Sequence, residues 1–156
     1  MSPIHLLVCL VVSVSDGDTL TVRCGNPNQY RQVKIRLADI DAPEKKQPYG
    51  ERSRQALVKM CHKKLALIEP RARDRYGRTV GRVKCGVKKV GHSYLGGIDV
   101  NTEQVRTGMA WGYSKYVTRM GLFNLHKEAQ RAKRGLWADK KPIAPWVWRE
   151  AKRKKR

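Results

Sequence analysis

Apolar and β-branched positions dominate three early stretches, 5–15, 19–25 and 30–38. Turn clusters set them apart: Asp16-Gly17-Asp18, then Gly25-Asn26-Pro27-Asn28. Runs of this length and composition, bounded by Gly, Pro, Asn and Asp, predict strands. Pro43 stops the third and holds Ala42 extended. After Pro48 the period lengthens. Leu57, Met60, Cys61 and Leu65 recur at three- and four-residue steps, which predicts a helix to about Lys64. Strands resume at 65–71 and 79–85. Residues 86–99, with Gly86, Gly91, Gly96 and Gly97, read as an irregular hairpin or loop. Asn101 is placed to cap a short helix, with Gln104 three residues on and Val105 and Met109 facing inward. A last helix is predicted over 122–134, with a stripe of Leu122, Leu125 and Ala129 and a C-cap at Gly135. Several short strands, few helices and no βα alternation predict an α+β, mainly β chain: a small barrel with helices packed on it, compatible with the oligonucleotide-binding type. There is no internal repeat. Residues 1–148 read as one domain and 149–156 as a basic, solvated and mobile tail, with six bases and one acid in eight residues.

Charge changes the picture more than length does. The 156 residues carry 34 Lys+Arg against 13 Asp+Glu, a net +21. Such a surface suits a polyanion (DNA, RNA or an anionic membrane) without distinguishing among them. The longest apolar run, Ile4 to Val14, is too short to span a bilayer. As an export signal it lacks basic residues before it and a convincing cleavage site after it, so a buried strand is the preferred reading. No membrane partner is expected. A cytoplasmic address is slightly favoured, with secretion or a periplasmic location as the alternative.

The four cysteines, at 9, 24, 61 and 85, show no CxxC spacing, which argues against zinc. If Asp16-Gly17 forms a two-residue turn, Cys9 and Cys24 face each other across the first hairpin, within disulfide reach. Two buried thiols are the preferred reading, and a disulfide is the alternative.

In so basic a chain the few acids are informative. Asp16 and Asp18 flank the first turn, and Asp39, Asp41 and Glu44 crowd the end of the third strand. Carboxylates without His or Cys neighbours suit a hard cation that takes oxygen ligands. Phosphate chemistry pairs such an ion with arginine forks on the phosphoryl oxygens, and Arg36 and Arg78 are placed for that. The plainer reading stands beside it: Asp residues capping turns, and arginines spread over a basic surface. The four histidines form no visible pair, so a histidine-based ribonuclease mechanism has little support.

Taken in order, five segments resemble the staphylococcal (micrococcal) nuclease family, or thermonucleases. They are Asp16-Gly17-Asp18-Thr19, Arg36 to Glu44, Tyr49-Gly50, Asp74-Arg75-Tyr76-Gly77-Arg78, and Val100-Asn101 with Val105 to Ala110; Glu128-Ala129 running into Gly135-Leu136-Trp137 extends the match. The resemblance covers roughly residues 8–138. It implies a five-stranded oligonucleotide-binding-type barrel with about three helices. It also implies Ca²⁺-dependent hydrolysis of DNA and/or RNA that leaves 5′-hydroxyl and 3′-phosphate ends, by a protein expected to be a monomer. Asp18 and Asp41 match the family's calcium carboxylates, and Ala42 the residue lending a backbone carbonyl. Glu44 matches the carboxylate that orients or deprotonates water, and Arg36 and Arg78 the arginines holding the scissile phosphate. Tyr113 and Tyr116 are candidates for the family's nucleotide-contacting tyrosines, and Tyr76 is a further stacking candidate. Asp39 matches no ligand and is read as structural or outer-shell. Residues 84–99 exceed the family's length by about one hairpin; Lys84, Lys88, Lys89 and His92 there read as a solvated basic loop. Trp137, Trp146 and Trp148 are expected to pack the C-terminal segment on the barrel. The competing function is a non-catalytic nucleic-acid-binding module of the same fold; a membrane-surface protein is a distant third.

Overall fold

The structure, a computed structural model, describes residues 5–112 and 120–156. Along the chain it forms β1 (Leu7–Asp16), β2 (Thr19–Asn26), β3 (Gln29–Leu37), β4 (Ile40–Asp41), α1 (Gly50–Cys61), β5 (Leu65–Arg73), β6 (Thr79–Val90), β7 (Ser93–Asp99), α2 (Val100–Arg106), β8 (Trp111–Gly112), α3 (Met120–Arg131), a 3-10 turn (Gly135–Ala138) and α4 (Pro145–Lys154). The sheet order is β3-β2-β1-β5-β6-β7, and β3 also pairs with β6. That second pairing is parallel, with Ile35, Arg36 and Leu37 opposite Thr79, Val80 and Gly81. It closes five strands into a barrel, leaving β7 as an extension on β6. The mainly β barrel expected from the pattern is the observed fold.

The interior follows the period-two alternation that makes a half-buried strand. Val11, Leu20, Val22, Ile35, Ile68 and Val83 turn inward and are fully buried. Helix α1 seals one opening with Leu57 and Cys61, as its spacing predicted. Leu65 instead opens β5 and is exposed.

The first hairpin departs from the expected turn. Asp16 pairs with Thr19, so Gly17 and Asp18 form the turn, and register shifts follow on either side of Val14. These shifts restore Leu10 opposite Arg23, so Cys9 still meets Cys24. The two are bonded, with Cα atoms 4.6 Å apart, and Cys61 is bonded to Cys85. The preferred reading of free thiols at 9 and 24 is therefore corrected: the geometry puts the sulfurs in bonding contact. On a loop-entropy account each bond contributes about 3 kcal/mol by restricting the unfolded chain.

Of the two readings of residues 86–99 the hairpin holds, and its pairing is regular: β6 runs to Val90 and returns as β7, antiparallel. Two further elements differ from expectation. The cap of α2 is Asp99, whose carboxylate accepts from Thr102 N–H at 3.2 Å. Asn101 lies inside that helix, buried, and it joins β6 to the chain after β3. Its side chain accepts from Val83 N–H and donates to the carbonyls of Ala38 and Gly81. Finally, the segment expected as a mobile tail at 149–156 is helical through Lys154, a fourth helix beyond the three expected. Pro145 starts it, where a missing N–H costs nothing, and Trp146 packs edge-on against Trp111, their rings 5.4 Å apart. No helix is long and apolar enough to cross a membrane among the described residues.

Candidate active site

The β1–β2 turn is held from below. Gly17 has no room for a side chain: a Cβ there would lie 1.7 Å from Ser53 Oγ and 2.9 Å from Ala42 Cβ. Buried Gln104 of α2 donates to the Gly17 carbonyl at 2.7 Å and to that of Ser53 at 3.1 Å. The turn is thereby pinned against both helices, and Asp18 points inward, only 5% exposed. Its Oδ2 accepts from Ala42 N–H at 2.6 Å and its Oδ1 from the Thr19 hydroxyl at 3.0 Å.

Arg36 enters from β3. Its Nη1 donates to the carbonyls of Leu37 and Ile40, both at 3.0 Å, and lies 3.2 Å from Asp18 Oδ2; its Nη2 reaches Asp41 Oδ1 at 3.4 Å. One guanidinium therefore bridges two carboxylates that are 23 residues apart in sequence. Asp41 is carried on β4, pairs with Trp111 of β8 and is 3% exposed. Glu44 follows Pro43 in a tight loop whose carbonyl leaves no space for a Cβ at Gly50: the distance would be 2.0 Å. Gln47 completes that loop, accepting from Glu44 N–H at 3.0 Å and donating to the Ile143 carbonyl.

The charges interact strongly. Burial works to raise Asp18, but Arg36 and hydrogen bonds from Asp16, Ala42 N–H and Thr19 overcome it and hold its carboxyl below the usual range. Burial, then the Asp18 charge, pushes Asp16 upward. Burial also raises Asp41; Arg149 and Arg36 oppose this and the Asp18 charge adds to it. Asp18 and Asp41 thus repel each other across a space that needs positive charge.

Arg78 approaches from the turn between β5 and β6. Asp74 accepts from Arg78 Nε at 2.7 Å and from Arg78 N–H at 2.9 Å. Those bonds keep Asp74 ionised below the usual range in spite of some desolvation. The exposed Tyr76 ring carries the guanidinium of Arg75 at 5.1 Å and of Arg78 at 5.5 Å. Asp18, Arg36, Asp41, Glu44 and Arg78 all line one open cavity of about 550 Å³, with Tyr76 at its edge. Tyr113 and Tyr116 lie outside the described residues. Asp39 sits apart, paired with Arg71 at 2.7 Å, which agrees with a structural role.

Three lining residues were missed from the sequence: Lys34, Arg75 and Arg149. The first two flank recognised motifs, Lys34 two positions before Arg36 on the same strand face and Arg75 inside the turn that ends in Arg78. Arg149 is the unexpected one. From α4 its Nη1 reaches Glu44 Oε1 at 2.7 Å and Asp41 Oδ1 at 3.2 Å, and its Nη2 reaches Asp41 Oδ2 at 2.7 Å. The only local signal for it was an arginine following two tryptophans and a helix-starting proline.

Among the described residues no three His, Cys, Asp or Glu side chains are arranged as a ready ligand set. The donors present nevertheless fit a hard divalent cation. They are oxygen-only, they include two buried and mutually repelling carboxylates, and guanidinium groups already take the place of positive charge between them.

Comparisons with known proteins place the chain among nucleases. A family model described as "Staphylococcal nuclease homologue" matches residues 34–139, more than half the chain. An "Uncharacterized endonuclease" of Escherichia coli O157:H7 is 42% identical over 142 residues, covering 91% of this chain and 84% of its own length. A "Micrococcal nuclease" of Shigella flexneri is 37% identical over 147 residues, covering 90% and 79%. A staphylococcal-like nuclease of Arabidopsis thaliana is 37% identical over 123 residues, 79% of this chain but 35% of that protein. With a family model over more than half its length and relatives of this kind covered over most of theirs, the chain belongs to the staphylococcal nuclease family.

Proposed function

We propose that this phosphodiester hydrolase is a Ca²⁺-dependent nuclease, acting as a monomer on DNA and/or RNA and leaving 5′-hydroxyl and 3′-phosphate ends. The observation that carries the reading is the meeting of Asp18, Asp41 and Glu44 with Arg36 and Arg78 around one cavity. Asp18, Asp41 and the Ala42 carbonyl would hold the cation, whose charge would offset that on the phosphoryl oxygens as phosphorus becomes five-coordinate. Glu44, the most exposed of the three carboxylates, is the group that orients an attacking water and takes its proton. Arg36 and Arg78 meet the phosphate from two sides and bind it more tightly as its charge grows in the transition state. Arg75 and Lys34 extend the positive lining, and Tyr76 offers an exposed ring for base stacking. Two disulfides favour an oxidising address, periplasmic or secreted, over a cytoplasmic one.

The test is digestion of single-stranded DNA and of RNA with Ca²⁺, with other divalent ions and with chelator, followed by end-group analysis. Cleavage that needs Ca²⁺ and yields 3′-phosphate ends is expected. Binding without cleavage under every ion and pH tried would instead make the protein a nucleic-acid-binding module.

A further inference from the structure

Two guanidinium groups occupy the carboxylate cluster, and they are held very differently. Arg36 is anchored: besides Asp18 and Asp41 it donates to two backbone carbonyls, and its side chain is 18% exposed. Arg149 is 41% exposed and sits on the last helix, and its hydrogen bonds go only to Asp41 and Glu44 among the described residues. It engages both oxygens of Asp41, at 3.2 and 2.7 Å. An oxygen so held directs its lone pairs at an N–H, and a nearby positive charge repels a second cation. Asp41 cannot serve Arg149 and a divalent ion equally well at once.

We infer that Arg149 is an exchangeable internal counter-ion: it closes the carboxylate cluster when no divalent cation is bound, and cation binding displaces it from Asp41 and Glu44. This rests on the reading of Asp18 and Asp41 as cation ligands. Loading the ion and freeing Glu44 then become one event, so Glu44 is available to water only when the ion is in place. Breaking the Arg149 pairs weakens cation binding, because the apparent dissociation constant is the intrinsic one divided by the fraction of protein already in the competent state.

The experiment is calorimetric Ca²⁺ titration, without nucleic acid, of the full-length wild type and of Arg149→Gln. The variant is expected to bind Ca²⁺ roughly tenfold more tightly, as when a competitor leaves the competent state one tenth populated. A purely structural role for Arg149 would lower thermal stability without tightening Ca²⁺ binding. The second readout uses only wild type: labelling by phenylglyoxal, mapped by mass spectrometry, should rise at Arg149 when Ca²⁺ is added. Equal or weaker Ca²⁺ binding by the variant, or labelling of Arg149 that Ca²⁺ leaves unchanged or lowers, overturns the exchange while leaving the nuclease reading intact. Ca²⁺ binding by neither protein overturns both.

Discussion

At the scale of single residues, function depends on charges that must be both close and separately supported. Arg36 reaches the cavity from β3 and Arg78 from the turn before β6, and each has its own carboxylate partner. Replacing either by Gln should lower turnover by roughly 10²–10³-fold, as for removal of one donor to a developing negative charge. Single-turnover cleavage at saturating substrate would measure it, and a change confined to KM would mean the residue only binds. A second prediction concerns Gly17. Ala there meets Ser53 Oγ and Ala42 Cβ, and should destabilise the fold by about 1–3 kcal/mol in a denaturant titration. Because the same turn carries Asp18, the proposed Ca²⁺ binding should weaken as well. The five residues that meet around the cavity were legible in the sequence as candidates because each lies in a short contiguous motif. Arg149 was not, because what places it is the meeting of α4 with β4, and no local pattern encodes a meeting of segments 108 residues apart.

At the scale of elements, β4, β8, α3 and α4 are joined through a ring cluster. Trp111 lies 4.4 Å from Trp137, His126 lies 5.1 Å from Trp137, and Gly112 N–H donates to His126 Nδ1 at 3.0 Å. The packing expected of Trp137 and Trp146 is realised there. Burial lowers the His126 pKa, so the folded ring resists protonation. The unfolded chain therefore takes up a proton that the folded one resists. Stability should be full above the ordinary histidine value and should be lost as pH falls through it toward the depressed one. Melting temperatures measured across that range should decline, and His126→Asn should flatten the decline. The five barrel strands were readable from apolar, β-branched runs bounded by turn residues, and α1 and α3 from their stripes; the two-residue β4 and β8 were not. Helix α4 was not, because six bases in eight residues resemble a solvated end and only tertiary pairing makes them a helix. The Cys9–Cys24 register was readable, whereas the bond itself depends on chemistry that periodicity does not carry.

At the scale of the whole molecule, covalent and electrostatic features act together. One disulfide ties β1 to β2 and the other ties α1 to β6. Denatured protein should show no free thiols without reductant and four with it. Reduction should lower the melting temperature, each bond being worth about 3 kcal/mol. The chain carries a net charge of +21 in spite of its small acidic centre, so nucleic-acid affinity should fall steeply with salt.

The short parallel seam between β3 and β6 has a larger consequence than its three rungs suggest. Arg36 is itself a rung, and Arg78 stands one residue before the first. Slippage by a single residue would shift one rail by about 3.3 Å and turn its side chains to the opposite face. Every antiparallel hairpin could survive that slip, yet the two arginines proposed to hold the phosphate would no longer face one cavity. The seam is the calliper of this enzyme: backbone pairing, braced by the Asn101 side chain, sets its gauge.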